Sequence, residues 1–146
     1  MSENARGSVR PGGGTLCEER GVQRIVFLDQ YAQFGGGQQV LLELADAARS
    51  ENLAVTALLP EGPCADRMAA DGMDVRHIPW RAFTQGEKTL ADMLRLAAYN
   101  IRVFLQNLRL LRSADLIYVN GNRLLPAAML AQRLFGTAAA CHIHLN

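Results

Sequence analysis

The sequence predicts a doubly wound, Rossmann-like α/β domain, in which helices cover both faces of a parallel sheet of about five strands in three α/β/α layers. Two short apolar runs, Arg24–Asp29 and Asp115–Asn120, each end in a polar residue, as strands buried on both faces often do. Helical patterns separate the strand-like runs, and the connections are long enough for right-handed parallel crossovers. The chain has 146 residues, 49% of them hydrophobic, which suits one domain with a substantial core.

The first half of the chain contains three predicted strands and two predicted helices. Arg24–Asp29 is the first strand, and a helix follows from about Gly37 to Ser50. Its predicted core-facing residues, at three- and four-residue spacing, are Val40, Leu41, Leu44, Ala45 and Ala48. Leu53–Leu59 is the second strand. A short helix then begins at Pro63 and ends near Asp71, with Gly72 as its C-terminal cap, before the third strand, Asp74–Pro79.

The second half begins with a polar segment, Arg81–Lys88, which we expect to be an exposed loop. A long helix is predicted from Thr89 to Arg112. Its predicted core-facing residues are Leu90, Leu94, Ala97, Ile101, Phe104, Leu108 and Leu111. The fourth strand is Asp115–Asn120. The next helix begins at Arg123 or Leu124 and ends at Phe135, with Pro126 in its first turn and Gly136 as its cap, and Ala138–Ile143 is the fifth strand.

Charge and cysteine usage limit the classes of partner. Fifteen basic and fourteen acidic residues give a net charge of +1, so no global field favours nucleic acid. The three cysteines, Cys17, Cys64 and Cys141, are odd in number and far apart, which indicates free thiols in a reducing, cytoplasmic setting.

Residues 1–22 are expected to be a mobile tail, and residues 23–146 the domain. Arg95, Arg102 and Arg109 recur every seven residues, which fits a solvated helix face or peripheral contact with anionic lipid.

Three polar segments are expected to meet at the ligand edge of the sheet. With the strand order 3-2-1-4-5, strands one and four are neighbours at the topological switch point, where such folds bind ligands. The glycine loop after strand one, the turn Asn120–Arg123 and the strand end His142–His144 would then share one edge. We therefore expect a binding crevice there.

The glycine loop is the first part of this predicted site. Gly35, Gly36 and Gly37 permit φ > 0 and a close backbone approach, and a following helix N-terminus can hold a diphosphate. Together with Gln38 they are the candidate donor-phosphate residues. The alternative is a tight strand-to-helix turn without a ligand. The spacing is neither the dinucleotide fingerprint nor the P-loop, which disfavours NAD and ATP in their usual modes.

The remaining candidates lie after strands four and five. His144 is placed to hydrogen-bond a hydroxyl-rich substrate or accept a proton, or else it is structural, and the pair His142 and His144 lacks the further ligands that zinc needs. Asn120 is a candidate ligand contact, whereas Asn122 is expected to cap the next helix. Arg123 either contacts an anion or faces solvent. Asp29 contacts a ligand hydroxyl or caps the loop, and Trp80 stacks on a sugar or packs.

These residues also resemble a known family. The segments Arg24–Asp29, Gly35–Ala45, Asp115–Gly121 and Cys141–Leu145 look like the N-terminal domain of retaining, GT-B fold glycosyltransferases of the family-four group. The resemblance implies transfer of a sugar from a nucleotide-sugar donor to a sugar or lipid-linked acceptor, without a metal or other cofactor. It implies that the glycine loop approaches the donor diphosphate, that His144 lies beside the transferring sugar, and that many members work at membrane surfaces.

The resemblance also implies that part of the enzyme lies outside this sequence. The family's donor site belongs to a C-terminal domain absent from these 146 residues, so we expect a truncated acceptor-side domain that is inactive alone. Two other readings of the same pattern stay open. One is a non-enzymatic module that binds a nucleotide, a sugar or a protein. The other is a different α/β enzyme, such as a reductase or phosphatase, which the lack of a nucleophile motif disfavours.

Overall fold

The computed structural model describes residues 23–79 and 89–143, in which five parallel strands form one sheet in the order β3-β2-β1-β4-β5. The strands are β1 (Arg24–Asp29), β2 (Ala54–Leu59), β3 (Asp74–His77), β4 (Leu116–Asn120) and β5 (Ala138–His142). The helices are α1 (Gly36–Ser50), α2 (Pro63–Ala70), α3 (Leu90–Gln106), α4 (Leu108–Ser113) and α5 (Leu125–Phe135). The predicted tail 1–22, the predicted loop Arg81–Lys88 and Trp80 lie outside the described residues.

The predicted doubly wound sheet and its strand order are confirmed. β1 has the predicted bounds, and the other strands differ from prediction by one or two residues at an end. Pro63 and Pro126 lie in the first turns of α2 and α5, where a missing N–H has no helical partner. Gly136 has φ +74° after α5, so the left-handed cap predicted from glycine is present.

The core has two halves because strand residues alternate between the faces of the sheet. Val26 and Leu28 of β1 pack on the side of α3, α4 and α5. Ile25 and Phe27 pack on the side of α1 and α2. Both faces of the central strand are thus covered, which explains its continuous apolar run.

The predicted single helix from Thr89 to Arg112 is wrong, because the chain breaks at Asn107 into α3 and α4. The Asn107 side chain donates from Nδ2 to the Val103 carbonyl at 3.0 Å. Its backbone N–H is shared between the carbonyls of Val103 and Phe104, both at 3.2 Å. Such local side-chain bonding competes with regular helix geometry and allows the change of direction.

The predicted core-facing side of this helix is also largely wrong. Phe104 and Leu111 are buried as expected, but the other members are exposed: Leu90, Leu94, Ala97, Ile101 and Leu108. The side of α3 that is buried instead carries Tyr99, Asn100 and Val103.

Within residues 23–79 and 89–143, no helix combines the length and apolarity needed to cross a bilayer.

A smaller correction of the same kind applies to α1. Leu41, Ala45 and Ala48 are buried as predicted, whereas Val40 and Leu44 are exposed. Their expected places on the buried side are taken by Gln38 and Leu42. The residue spacing therefore located the helix correctly. The side of the helix that faces the core, however, is rotated about the helix axis by part of a turn relative to the prediction.

Asn100 joins α3 to the beginning of α5. Its Nδ2 donates to the Arg123 carbonyl at 2.9 Å, and its Oδ1 accepts from the Ala127 N–H at 3.1 Å. The side chain is almost fully buried. Asn122, predicted to cap this helix, does not do so: α5 begins after Leu124 without a side-chain cap of its own. A residue distant in sequence satisfies the helix N-terminus instead.

Replacing Asn100 with alanine should destabilise the domain by about 2 kcal/mol, because a buried N–H and a buried carbonyl both lose their partner. Chemical denaturation of the purified chain measures this difference. Asn122→Ala is the matched control, and we expect it to change stability by less than about 0.5 kcal/mol. Equal losses in the two variants would contradict the bridging role of Asn100.

Candidate functional site

A cavity of about 450 Å³ opens at the carboxyl edge of the sheet, beside the neighbouring ends of β1 and β4. This is the topological switch point, where ligands bind in open α/β folds. The described residues that line it are Gln30, Tyr31, Gln33, Phe34, Gly35, Gly36, Gly37, Gln38, Gly121, Asn122 and Ile143. The predicted crevice therefore exists, and all three predicted segments contribute to it: the glycine loop, the turn through Gly121 and Asn122, and the end of β5 through Ile143.

A buried carboxylate organises this edge. Asp29, fully buried at the end of β1, lies beside Asn120 in the strand register. Its Oδ2 accepts from Asn120 Nδ2 at 2.5 Å and from Gln38 Nε2 at 2.9 Å, and its Oδ1 accepts from the Tyr31 N–H at 2.9 Å. Asn120 Nδ2 also reaches the Gly37 carbonyl at 3.3 Å. The sequence left two roles open for Asp29, contact with a ligand hydroxyl or capping of the loop. The contacts described here are those of loop capping.

Burial is the main influence on the ionisation of Asp29. Desolvation raises the pKa of its carboxyl above the ordinary 3.8. Hydrogen bonds from Asn120, Gln38, Tyr31 and Gln30 lower the pKa, but their effect is smaller than that of burial. Nearby Cys64 is fully buried at the start of α2, and burial with the Asp29 charge raises the pKa of its thiol to about 11. A thiol with such a pKa is an inert packing group rather than a nucleophile.

The glycine loop differs from the prediction in one respect. Gly35, Gly36 and Gly37 are not among the described glycines with positive φ, and Gly35 is extended with φ −153°. The left-handed backbone that these glycines permit is thus not used in this loop. A Cβ added to Gly36 would meet nothing within 4 Å. The fold itself therefore does not require glycine at position 36, although a ligand approaching the backbone would.

The start of α1 presents backbone donors to the cavity. Gly35 precedes the helix, which has no side-chain cap and no acidic residue in its first turn. The first helical hydrogen bond runs from the Gln39 N–H to the Gly35 carbonyl at 2.9 Å. N–H groups of the first turn and the positive end of the helix dipole favour an anion at this position.

Gln30, which the sequence did not predict at the site, forms a part of the wall beside Gly121. Within the described chain, the buried Oε1 of Gln30 has no hydrogen-bond partner. Gly121 has φ +95°, and a Cβ there would lie 3.3 Å from Gln30 Nε2. The Gly121 N–H donates to the His142 carbonyl at 2.8 Å and ties this turn to β5. Gly121 belongs to the turn that the sequence predicts at this edge, whereas Gln30 carries no pattern that distinguishes it from a loop residue.

The other predicted site residues are dispersed. Asn120 lies at the edge but is buried, with Nδ2 engaged as described. Arg123 is half-buried, its carbonyl is bound by Asn100, and it is not among the described residues that line the cavity. His144 lies outside the described residues. Between residues 23–79 and 89–143, no group of three or more His, Cys, Asp or Glu side chains is placed to hold a metal ion.

A family model described as a glycosyl transferase 4-like domain matches residues 35–146, most of the chain. The chain belongs to this family. The matched region begins at the first residue of the glycine loop and includes all described elements after β1. The resemblance seen in the sequence is confirmed, and the domain can be described as a glycosyl transferase 4-like domain. No curated protein sequence matches the chain significantly.

Solved structures support the same fold. The domain is similar to HepE from Anabaena, solved with UDP and glucose, with a TM-score of 0.60 and 21% identity over 84% of this chain and 30% of that one. It is similar to MurG from Acinetobacter baumannii, with a TM-score of 0.60 and 17% identity over 83% and 35% of the two chains. The chain thus spans about a third of the length of these two proteins.

A third similarity shows what the fold alone cannot decide. The C-terminal domain of a hydrogenase from Pyrococcus furiosus matches with a TM-score of 0.58 and 14% identity, over 83% of this chain and 92% of that one. Identities this low establish the Rossmann-like fold and nothing finer. The family match, rather than the fold, therefore identifies the domain as glycosyl transferase 4-like.

The raised pKa of Asp29 gives a pH prediction. Between pH 3.8 and the higher folded-state pKa, the unfolded chain has lost a proton that the folded chain keeps, so stability falls as pH rises through this window. Asn in place of Asp29 cannot ionise. The stability of the wild type relative to Asp29→Asn should therefore decrease from pH 3 towards neutrality, measured by urea denaturation at each pH.

Asp66→Asn, on the exposed surface of α2, controls for the loss of one carboxylate. A wild-type advantage over Asp29→Asn that grows with pH would show that hydrogen bonding, not burial, dominates the ionisation of Asp29.

Proposed function

We propose that this domain is the N-terminal, acceptor-side half of a glycosyltransferase that transfers a sugar from a nucleotide-sugar donor with retention of configuration. In this proposal a C-terminal domain supplies the donor-binding half, and residues 23–146 alone are inactive. The observation that carries it is the cavity at the switch point, walled by the start of α1 and by Gly121. The family match and the UDP-bound state of HepE support the same chemistry.

In this proposal the start of α1 receives the donor diphosphate. The backbone N–H groups near Gly35, Gly36 and Gly37 provide hydrogen bonds, and the open space beside Gly36 lets phosphate oxygens approach. Gln38 lines the same cavity, while its Nε2 is held by Asp29. The network thereby fixes the loop before a ligand arrives, which reduces the cost of ordering it on binding.

Gln30 and two aromatic residues have properties suited to a sugar. An unpaired buried acceptor such as Gln30 Oε1 costs free energy, and a small rotation of its amide towards a ligand hydroxyl would satisfy it. Tyr31 and Phe34 line the cavity and are exposed, although rings are usually covered. Aromatic faces beside hydrogen-bonding groups suit a ligand that has both apolar and hydroxyl surfaces.

The remaining assignments follow the family resemblance. We propose His144 beside the transferring sugar, and Asn120 and Arg123 on the acceptor side, at the turn that follows β4. Cys64 and Cys141 are free thiols, which supports a cytoplasmic setting. A lipid-linked acceptor would bring the enzyme to the cytoplasmic face of a membrane.

Substitutions at Gly36 separate ligand binding from folding. Gly36→Ala should leave stability unchanged or raise it by about 0.5–1 kcal/mol, because glycine disfavours helix and the added Cβ meets no protein atom. Gly36→Val should weaken donor binding in the complete enzyme roughly tenfold, a loss of about 1.4 kcal/mol. Calorimetry with UDP or the UDP-sugar, together with thermal unfolding, measures both quantities.

Ala47→Val, at an exposed position of the same helix, is the matched control for the valine substitution. Donor binding that is unchanged in Gly36→Val would mean that the glycine loop is only a turn.

His144→Ala should lower turnover of the complete enzyme by about 10²-fold, the lower range for loss of a group that transfers a proton or polarises the reacting centre. His77→Ala, exposed at the end of β3, is the control and should retain full turnover. Sugar release and transfer are measured by chromatography of the products. Full turnover in His144→Ala would remove this residue from the site, and donor binding without transfer in the wild type would favour a binding module.

A further inference from the structure

The direction in which the Gln38 side-chain amide points is fixed by the fold. The side chain is buried, only 7% exposed, and its Nε2 donates to the carboxylate of Asp29 at 2.9 Å. Carboxylate oxygens accept hydrogen bonds, and only the NH2 end of an amide donates them. The contact with Asp29 therefore requires the NH2 end of Gln38, and the carbonyl oxygen, Oε1, lies at the opposite end of the amide.

Asn120 shows that the same oxygen of Asp29 acts as an acceptor. Oδ2 of Asp29 accepts from Asn120 Nδ2, which also reaches the Gly37 carbonyl at 3.3 Å. A backbone carbonyl can only accept, so it determines the orientation of the Asn120 amide. Two NH2 groups, those of Asn120 and Gln38, thus converge on one carboxylate oxygen.

Oε1 of Gln38 lies on the cavity side of the helix start. It is 3.3 Å from the point that a Cβ of Gly35 would occupy, and both residues line the cavity. A glutamine in the first turn can also accept from the N–H of the residue before the helix. That bond is not among the hydrogen bonds of Gln38 in the described chain. The oxygen is therefore available to a ligand.

Access to this oxygen explains the glycine at position 35. Gly35 has φ −153°, an extended conformation that other residues also adopt, so its backbone does not require glycine. A Cβ at this position would lie 3.3 Å from Oε1 of Gln38, which is closer than ordinary van der Waals contact. Any larger residue would crowd the oxygen, whereas glycine leaves it open to the cavity.

The rest of the cavity wall has the same chemical character. Oε1 of Gln30 is a second buried amide oxygen, without a partner in the described chain. None of the described residues that line the cavity is charged. Binding of an anion therefore depends on the N–H groups at the start of α1, and the two glutamine oxygens suit hydroxyl donors. A ligand that carries a hydroxyl beside a phosphate matches both features.

We propose that Gln38 selects, through Oε1, a ligand hydroxyl that lies beside the bound diphosphate, and that Asp29 is the positioning residue that turns this oxygen towards the cavity. The proposal rests on the nucleotide-sugar ligand proposed above, and it gives Gln38 contact with a hydroxyl instead of with phosphate. In a nucleotide sugar, the ribose and the transferred sugar both carry hydroxyls near the diphosphate. The amide accepts a hydrogen bond without taking the proton, so Gln38 discriminates between ligands.

The test compares ligands that differ by one hydroxyl. Calorimetry measures how the complete enzyme binds UDP, UDP-glucose and their singly deoxygenated analogues. In the wild type, loss of the recognised hydroxyl should weaken binding about tenfold, because Gln38 Oε1 then has no partner. Gln38→Met has a side chain of similar length without an acceptor, and it should bind this analogue as well as the parent ligand. The analogue that is affected shows whether the hydroxyl belongs to the ribose or to the sugar.

Asp29→Asn tests the positioning role in the chain without a ligand. The Tyr31 N–H needs an oxygen beside it, so the new amide turns its NH2 group towards Gln38. Gln38 then accepts with Oε1 and turns Nε2 towards the cavity. Hydrogen exchange of the Gln38 side-chain amide, measured by NMR, should be slow in the wild type and at least about tenfold faster in Asp29→Asn.

Gln39→Met is the matched control, because Gln39 is exposed at the next position of α1 and donates to Glu43 at 2.7 Å. It should keep the hydroxyl preference of the wild type. Gly35→Ala is a second test variant that leaves the bond between Gln38 and Asp29 intact. Its Cβ crowds Oε1, so the hydroxyl preference should fall. Thermal unfolding of every variant shows whether it is folded.

Three results would overturn the proposal and leave the proposed function in place. The first is a wild type that binds UDP-glucose and every analogue equally. The second is a hydroxyl preference that is the same in the wild type, Gln38→Met and Gly35→Ala. The third is slow exchange of the Gln38 amide in Asp29→Asn, which would remove the positioning role. A wild type that binds neither UDP nor UDP-glucose would instead contradict the proposed nucleotide-sugar ligand, and the selection of its hydroxyl with it.

Discussion

The buried carboxylate of Asp29 is the constraint on which the geometry of the candidate site depends. It lies at the end of the central strand and holds three neighbours: the Tyr31 backbone, the Gln38 side chain and the Asn120 side chain. The bonds connect β1, the glycine loop and β4, which are distant in sequence. A buried charge is tolerated only when such donors surround it, so the loop and the strand end are fixed together.

This network separates two roles that polar residues have at the edge. Asn120 and Gln38 donate hydrogen bonds to Asp29. The buried Oε1 of Gln30, by contrast, accepts no hydrogen bond within the described chain. The backbone at Gly36 likewise leaves open space that the fold does not need. The first group keeps the cavity in shape, and the second consists of groups that a ligand would satisfy. Glycosyl transfer, which must position a diphosphate and a hydroxyl-bearing sugar, uses both kinds of group.

The sequence by itself determined the alternation of strands and helices, the strand order and the place of the cavity. These depend on local apolar patterns and on the handedness of crossovers, which are properties of short segments. It did not determine which side of α3 is buried or how α5 is capped. Leu90 and Leu94 have the same spacing as core residues, and Asn100 resembles any helical asparagine. Only tertiary packing decided these points, since burial and hydrogen-bond partners depend on residues that folding brings from elsewhere in the chain.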